Sequence, residues 1–118
     1  MIFGPQAPFA NGPLIIDNTA DWIGKAMAYM KANNYTRIES TPEAAQKWSD
    51  YVNLLFDSTI IAQSAKEVGA WTVGANVENK ERKTLFFFGG VPAYIAAVEK
   101  ELQEGYPSHI FDSKIRTN

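Results

Sequence analysis

Apolar side chains recur at three- and four-residue steps in the segment that follows Pro13, from Ile15 or Ile16 through Trp22. This spacing places them on one face of an amphipathic helix. A proline suits the first turn of a helix. At the other end, Asn33-Asn34 can adopt the left-handed conformation that ends a helix. The pattern predicts a helix over residues 13–34.

A second helix begins near Thr41, and two capping arrangements fit its start. Ser40 and Glu43 have the spacing of a capping box, whereas Thr41 as the N-cap would put Pro42 at the first helical position. Both arrangements start the helix at the same place. The apolar spacing that follows predicts a long amphipathic helix over residues 41–62.

Shorter patterns complete the regular elements. Residues 35–39 alternate and contain β-branched side chains, which predicts one short strand that needs a partner elsewhere. Pro92 suits the start of a third helix, and Gly105 suits its end, so we predict a helix over 91–104. The remainder, 105–118, reads as an extended tail.

Two segments lack periodicity. Residues 1–13 are rich in proline and glycine yet apolar, which predicts an ordered, irregular loop. Residues 64–90 contain scattered glycines and asparagines around a charged run, and so long a loop in a small domain is typical of a lid or binding loop. We therefore predict a single domain over 1–118 that is mainly α, with about three amphipathic helices, a few short strands and long irregular loops.

Composition narrows the class of protein. The chain has 118 residues, a net charge of -2, no cysteine and no apolar run of the length that a membrane span needs. Disulfides and thiolate zinc sites are excluded, no basic stripe indicates a nucleic-acid partner, and nothing indicates a membrane partner. The N-terminus lacks the features of a signal peptide, so we expect a cytoplasmic protein.

Aromatic residues are unusually abundant, with three Trp, five Tyr and seven Phe. They either enlarge the core of a small domain, or form part of a surface that a larger body covers. Both interpretations stay open at this point.

Candidate catalytic groups are few. His109 is the only histidine, with Asp112 three residues later, and we expect it to be a surface residue. Glu99, Glu101 and Glu104 follow helical spacing and are expected on a solvated face rather than as an acid–base pair. The sequence therefore offers no catalytic constellation of its own and no metal site.

Several short motifs occur in an order that is hard to obtain by chance: Gly4–Asn11 (GPQAPFAN), Trp22-Ile23 with Tyr29-Met30, Glu39–Ala44 (ESTPEA), Trp71–Asn76 (WTVGAN), Phe87–Val91 (FFGGV) and Gly105-Tyr106. Together they resemble the C-terminal region of class B flavin monooxygenases, the Baeyer–Villiger monooxygenases of the cyclohexanone monooxygenase type. The resemblance covers residues 2 to about 111. It implies the C-terminal part of such an enzyme without its Rossmann domains.

The resemblance also implies roles for particular residues. Substrate-shaping positions would be Phe3, Phe9, Ala10, Gly12 and Phe86. A mobile loop over NADP would span 71–84, with Trp71, Asn76 and Lys80 as cofactor-binding positions. For the aromatic residues among these, packing in the core is the alternative that the sequence leaves open.

The family converts ketones to esters or lactones with FAD and NADPH, but this chain departs from its pattern. It has no G-x-G-x-x-G fingerprint and no arginine in the family's catalytic motif, so we expect no cofactor in the isolated chain. Glu78-Asn79-Lys80 stands where the family usually has Pro-Gly-Lys, Ala70 where a serine is common, and Ile60–Ala62 where Leu-Phe-Pro is common.

Three functional hypotheses follow. The chain is a segment of a Baeyer–Villiger enzyme that contributes a pocket wall and the NADP-sensing loop. Alternatively, it is a free-standing descendant that acts without flavin as an isomerase, cyclase or ligand-binding protein on an apolar metabolite. A third interpretation is a remnant that assembles with a partner chain, or with itself, to cover its aromatic surface. Under the first hypothesis the partner would instead be an upstream half of the enzyme.

Overall fold

The computed structural model describes residues 7–113, apart from the side chain of Lys66. In chain order these residues form strand β1 (Ala7–Pro8), helix α1 (Gly12–Ala32), strand β2 (Arg37–Ser40), helix α2 (Pro42–Asp57), helix α3 (Ile61–Glu67), a 3-10 turn (Trp71–Val73), strand β3 (Phe86–Phe87), helix α4 (Val91–Gln103) and strand β4 (His109–Asp112). The predicted fold class, mainly α with a few short strands, is confirmed.

Helix α1 is long but poorly covered. It begins one residue before Pro13, and Asn34, just beyond its end, has a left-handed φ of 58°. Only Ile15 and Ala26 are buried among its 21 residues. No helix within residues 7–113 has both the length and the apolar character that crossing a bilayer requires.

The start of α2 is decided by Thr41. Its hydroxyl oxygen accepts a hydrogen bond from the backbone N–H of Ala44 at 3.1 Å, and Pro42 is the first helical residue. Because this bond satisfies one of the free N–H groups at the helix start, Thr41 is the N-cap, not Ser40.

The end of α2 differs from the prediction, because one continuous helix over 41–62 is wrong. The helix stops at Asp57, and the hydroxyls of Ser58 and Thr59 each donate to the backbone carbonyl three residues earlier, at 2.6 and 2.7 Å. Such side-chain bonds compete with the helical ladder for the same carbonyl groups. The chain therefore turns before it re-enters a helix.

The predicted loop over 64–90 is also more ordered than expected, since the second half of α3, the 3-10 turn and β3 all fall within it. Helix α3 packs Ala62 and Ala65 against Phe56 of α2 and Val73 of the 3-10 turn, and these four side chains form a buried cluster. A helix with so few large apolar residues leaves a weak periodic signal in the sequence.

Two small sheets connect distant parts of the chain. Strand β1 pairs in parallel with β3, with Ala7 opposite Phe86. Strand β2 pairs antiparallel with β4, from Arg37 opposite Asp112 to Ser40 opposite His109. The strand predicted at 35–39 thus begins two residues later and ends one residue later, at 37–40, and its missing partner lies in the predicted tail.

An aromatic cluster around Tyr106 fastens this second sheet to α1. Tyr106 is buried, and its ring centroid lies 5.7 Å from that of Trp22, 5.0 Å from Tyr29 and 5.6 Å from Phe111. Gly105 precedes it with a φ of 77°, a conformation that favours glycine. The chain reverses there, which brings Ser108 and His109, the first residue of β4, back to Glu101 of α4.

Candidate functional site

Strand β3 and its flanks separate two aromatic environments. Phe87 is 1% exposed, and its ring stacks on that of Trp48 with a centroid distance of 5.5 Å and an interplanar angle of 2°. Phe86 and Phe88 instead both contact the ring of Phe9. Successive side chains of a strand point to opposite faces, so Phe87 enters the core while Phe86 faces outward. Phe88, just beyond the strand, also packs against Phe56 of the buried cluster, with 5.1 Å between ring centroids.

The outward face carries the rings of Phe9, Trp71 and Phe86, which we call the aromatic patch. Phe86 meets Phe9 edge-on at 5.3 Å and Trp71 edge-on at 5.8 Å, measured between ring centroids. Phe9 is 66% exposed and Trp71 is 61% exposed, whereas Phe86 is half-buried. An exposed cluster of aromatic rings is typical of a surface that binds a ligand or another protein.

Backbone hydrogen bonds bring the three rings together. The N–H of Phe9 donates to the carbonyl of Phe87 at 3.2 Å, which continues the pairing of β1 with β3. The N–H of Leu85 donates to the carbonyl of Thr72 at 2.9 Å and ties the 3-10 turn to β3. The patch therefore depends on pairing between segments that are far apart in the sequence.

The structure thus unites three of the eight sequence-predicted site residues. Phe9 and Trp71 are too exposed to belong to the core, so core packing is wrong for these two. Ala10 is exposed between Phe9 and α1, and Gly12 is half-buried at the first position of α1. Phe3 lies outside the described residues.

The segment 74–83, which we call the charged loop, is fixed at both ends. Gly74 is buried with a left-handed φ of 69°. At the other end Thr84 is buried, and its N–H donates to the side-chain oxygen of Asn53 on α2 at 3.0 Å. The residues between these anchors are mostly exposed, so the loop is a tethered segment over the surface.

Two predicted cofactor positions lie in the charged loop. A Cβ built on Gly74 would lie 3.2 Å from Cδ of Lys80, so the lysine stem crosses the glycine closely. Lys80 has no acidic partner within residues 7–113, whereas Lys83 pairs with Glu81 at 3.1 Å. Asn76 is exposed in the same loop.

One departure from the family's pattern has a structural reason. At the turn where the resemblance implies a glycine, Asn79 has a φ of 59°. Asparagine tolerates this left-handed conformation better than most residues, so the turn is retained without glycine.

A second concave region, which we call the helical cleft, lies between α1, α2 and α4. Its volume is about 560 Å³, within the range of about 300 to 1,000 Å³ that small-molecule sites have. Ser40 of β2 and His109 of β4 border one end of it. Its walls are formed by Thr19, Trp22, Ile23, Ser40, Ala44, Ala45, Trp48, Tyr94, Ala97, Val98, Glu101, Ser108 and His109.

Glu101 organises the polar end of this cleft. Its carboxylate accepts from the N–H of Ser108 at 2.8 Å, from the Ser108 hydroxyl at 3.0 Å and from Nδ1 of His109 at 2.8 Å. The side chains of Glu101 and His109 are only 17% and 18% exposed. The expectations of a surface histidine and of a solvated Glu101 are therefore wrong.

The sequence held one signal for this cluster, namely the turn at Gly105 and Tyr106 that separates Glu101 from His109. Such a reversal brings residues seven or eight positions apart into contact. Helical spacing alone places Glu101 with its exposed neighbours, because the pattern contains no information about where β4 packs.

Two further groups define the chemistry of the helical cleft. Nε1 of Trp22 is buried and is the one buried side-chain polar atom within the described residues that lacks a hydrogen-bond partner. Burial raises the pKa of the Tyr94 phenol, so this side chain is uncharged at neutral pH. The cleft is thus apolar along its walls and polar at one end.

No protein-family model matches the chain. Curated relatives do: the chain is 32% identical over 106 residues to cyclopentanone 1,2-monooxygenase from Comamonas sp., and this match covers 88% of the chain. It is 30% identical over 112 residues to a Baeyer–Villiger monooxygenase from Pseudooceanicola batsensis, covering 95% of the chain. The chain spans only 18% and 20% of the lengths of these two relatives.

A solved structure agrees with these relatives. The crystal structure of cyclohexanone monooxygenase from Rhodococcus sp. Phi1 bound to NADP+ matches with a TM-score of 0.83 and 30% sequence identity. The match covers 97% of this chain and 21% of that chain. The resemblance that the motifs indicated is confirmed.

Proposed function

Since this chain is a homologue of about a fifth of a Baeyer–Villiger monooxygenase, we propose that it forms one wall of such an enzyme's substrate pocket and its NADP-sensing loop. The observation that carries this proposal is the aromatic patch. Three residues that the family resemblance assigns to substrate and cofactor contacts converge there, and two of them are exposed.

The patch is suited to shape an apolar pocket. Because its rings meet edge-on, the patch presents both ring faces and hydrogen-bearing ring edges. Such surfaces pack well against an alicyclic ketone or a planar cofactor ring. The contact of Trp71 with Phe86 would transmit a movement of the charged loop to the pocket wall. Exclusion of water and orientation of the ketone are the contributions of these residues.

The charged loop is suited to sense a phosphorylated cofactor. Lys80 has no acidic partner within residues 7–113, so its ammonium group is available to a phosphate. Gly74 at one end provides a left-handed pivot beside Trp71, and Thr84 holds the other end against α2. Binding of NADP by Lys80 and Asn76 would draw the loop and Trp71 over the pocket.

The residues of this chain are suited to contact part of FAD and part of NADPH, but not either whole molecule. A flat ring fits against the patch, but no glycine-rich fingerprint is available for the phosphates of a dinucleotide. FAD and NADPH, when bound to a complete enzyme, supply the redox chemistry. We propose that an upstream dinucleotide-binding part holds them and covers the patch.

A hybrid enzyme tests the proposal. The region of the Rhodococcus cyclohexanone monooxygenase that this chain matches is replaced by the chain, and bound FAD, NADPH consumption and lactone formation from cyclohexanone are measured. We expect a working hybrid in which Trp71→Ala lowers lactone formed per NADPH by about tenfold, because the ketone is no longer held in position.

The matched control is Ile60→Ala, since Ile60 is 96% exposed and lies outside the patch. This variant should leave the hybrid unchanged. A hybrid that binds FAD but forms no lactone, or one in which both variants have the same effect, would contradict the proposed role.

A further inference from the structure

We propose that the helical cleft is a separate binding site for an uncharged ring-bearing alcohol or phenol. The ring would lie between the aromatic walls, and the hydroxyl would bind at the end formed by Glu101 and His109. The cleft shares no side chain with the aromatic patch, so this site does not depend on the monooxygenase role.

The walls select a flat, apolar ligand. Small side chains at Ala44 and Ala97 leave space between the helices, and Trp22, Trp48 and Tyr94 border this space with aromatic surface. Aromatic side chains bind rings by offset or edge-on contact, each pair contributing about 0.5 to 1.5 kcal/mol beyond burial. A ring system of one to three fused rings is the ligand that such walls accommodate.

The polar end needs a hydrogen-bond donor. A carboxylate only accepts hydrogen bonds, so the 2.8 Å contact with Glu101 requires that Nδ1 of His109 carries a proton. In the neutral ring Nε2 is then an acceptor, and it has no donor within residues 7–113. A hydroxyl group supplies the proton that this nitrogen lacks.

The same end also needs an acceptor. Nε1 of Trp22 is a buried donor without a partner within the described residues, and an unmade bond of this kind costs about 1 to 3 kcal/mol. The ring centroids of Trp22 and His109 are 5.7 Å apart. Both rings border the polar end of the cleft, so a ligand hydroxyl bound there would donate to His109 and, once the Trp22 ring turns its N–H toward the cleft, accept from Trp22.

Charge excludes acids from this site. Apart from the histidine, Glu101 is the only charged side chain among the described residues that line the cleft. A ligand carboxylate would lie close to its negative charge in a partly dry site, which is unfavourable. We therefore expect a neutral ligand.

Titration of the full chain with 2-naphthol, monitored by the three indole N–H signals in nitrogen-15 NMR, tests the site. Trp22→Phe and Trp71→Phe assign two signals and leave the third to Trp48. We expect 2-naphthol to shift the Trp22 signal and to leave that of Trp71, in the aromatic patch, unchanged. Naphthalene offers neither the donor nor the acceptor that the polar end needs, and 2-naphthoate offers no donor and carries a negative charge, so both should bind about tenfold more weakly.

Variants locate the ligand. Ala97→Phe should abolish the Trp22 shift by filling the cleft, whereas Ala96→Phe, at an exposed neighbouring position on α4, should preserve it. His109→Phe should reduce the preference for 2-naphthol over naphthalene, because only the Trp22 N–H then remains to bind the hydroxyl. If Ala97→Phe does not fold, the titration of the unmodified chain decides alone.

Three results would overturn the proposal. The first is a shift of Trp71 without a shift of Trp22, which would assign binding to the aromatic patch. The second is equal affinity for naphthalene and 2-naphthol in the unmodified chain. The third is no shift of Trp22 with any of the three probes.

Discussion

Phe86 and Phe87 are neighbours in strand β3, yet their surroundings differ sharply. Phe87 is stacked on Trp48 and almost completely buried, while Phe86 lies half-buried beside the exposed rings of Phe9 and Trp71. The alternation of a single short strand therefore places neighbouring aromatic residues in two environments. One ring is buried in the core, and the other lies among exposed rings.

The largest expected effect is on the buried face. Phe87→Ala should lower the free energy of unfolding by about 3 to 5 kcal/mol, because it opens a cavity beside Trp48 and Tyr94. Urea denaturation followed by circular dichroism measures this change. The control is Leu85→Ala, at a partly exposed position, and a loss no greater than that of the control would refute the division into two faces.

The polar end of the helical cleft should come next. Glu101→Gln replaces an acceptor of three hydrogen bonds and should cost about 1 to 3 kcal/mol, since Ser108 and His109 lose part of their pairing. Glu99→Gln, at an exposed position of the same helix, should change stability by less than about 0.5 kcal/mol. Equal midpoints in urea for both variants would show that Glu101 is not structural.

Replacing each of two glycines by alanine should change the free energy of unfolding in opposite directions. Gly74→Ala should destabilise by about 1 to 2 kcal/mol, because its φ of 69° is unfavourable for a residue with a Cβ and Lys80 must also move. Gly24→Ala in α1 should stabilise by about 0.5 to 1 kcal/mol, since nothing obstructs its new methyl group. Thermal melts of the two variants check both signs, and a stabilising Gly74→Ala would show that the pivot is not needed.

The smallest expected effect is on the exposed face. Trp71→Ala should lower the free energy of unfolding by about 1 kcal/mol or less, because its ring is 61% exposed and loses mainly the edge-on contact with Phe86. The same urea titration measures it. A loss above about 2 kcal/mol would mean that Trp71 supports the fold, and the contrast with Phe87 would disappear.

Much of the secondary structure could be predicted because its signals are local. The start of α2 at Thr41-Pro42 and the end of α1 near Asn34 depend on a cap and a left-handed residue. Both are recognisable from adjacent residues in the sequence. The break between α2 and α3 could not be predicted from apolar spacing, because Ser58 and Thr59 end α2 by bonding to carbonyl groups.

The candidate sites, too, could be predicted only where their signals are local in the sequence. Family motifs identified Phe9, Trp71 and Phe86 individually, but left open whether they were core or surface. The cluster of Glu101, Ser108 and His109 was missed, since its members look like solvated residues until the turn at Gly105 brings Ser108 and His109 back to α4. Burial of a polar group depends on what packs against it, and helical spacing carries no such information.

The sequence by itself determined the mainly α class, most helix ends and the relationship to Baeyer–Villiger monooxygenases, because capping, turns and ordered motifs are properties of nearby residues. Only the tertiary structure decided which aromatic rings are covered and where the helical cleft lies. Those properties arise from the pairing of β1 with β3 and of β2 with β4, which joins residues far apart in the chain. Burial is a sum over such distant contacts, so no local pattern specifies it.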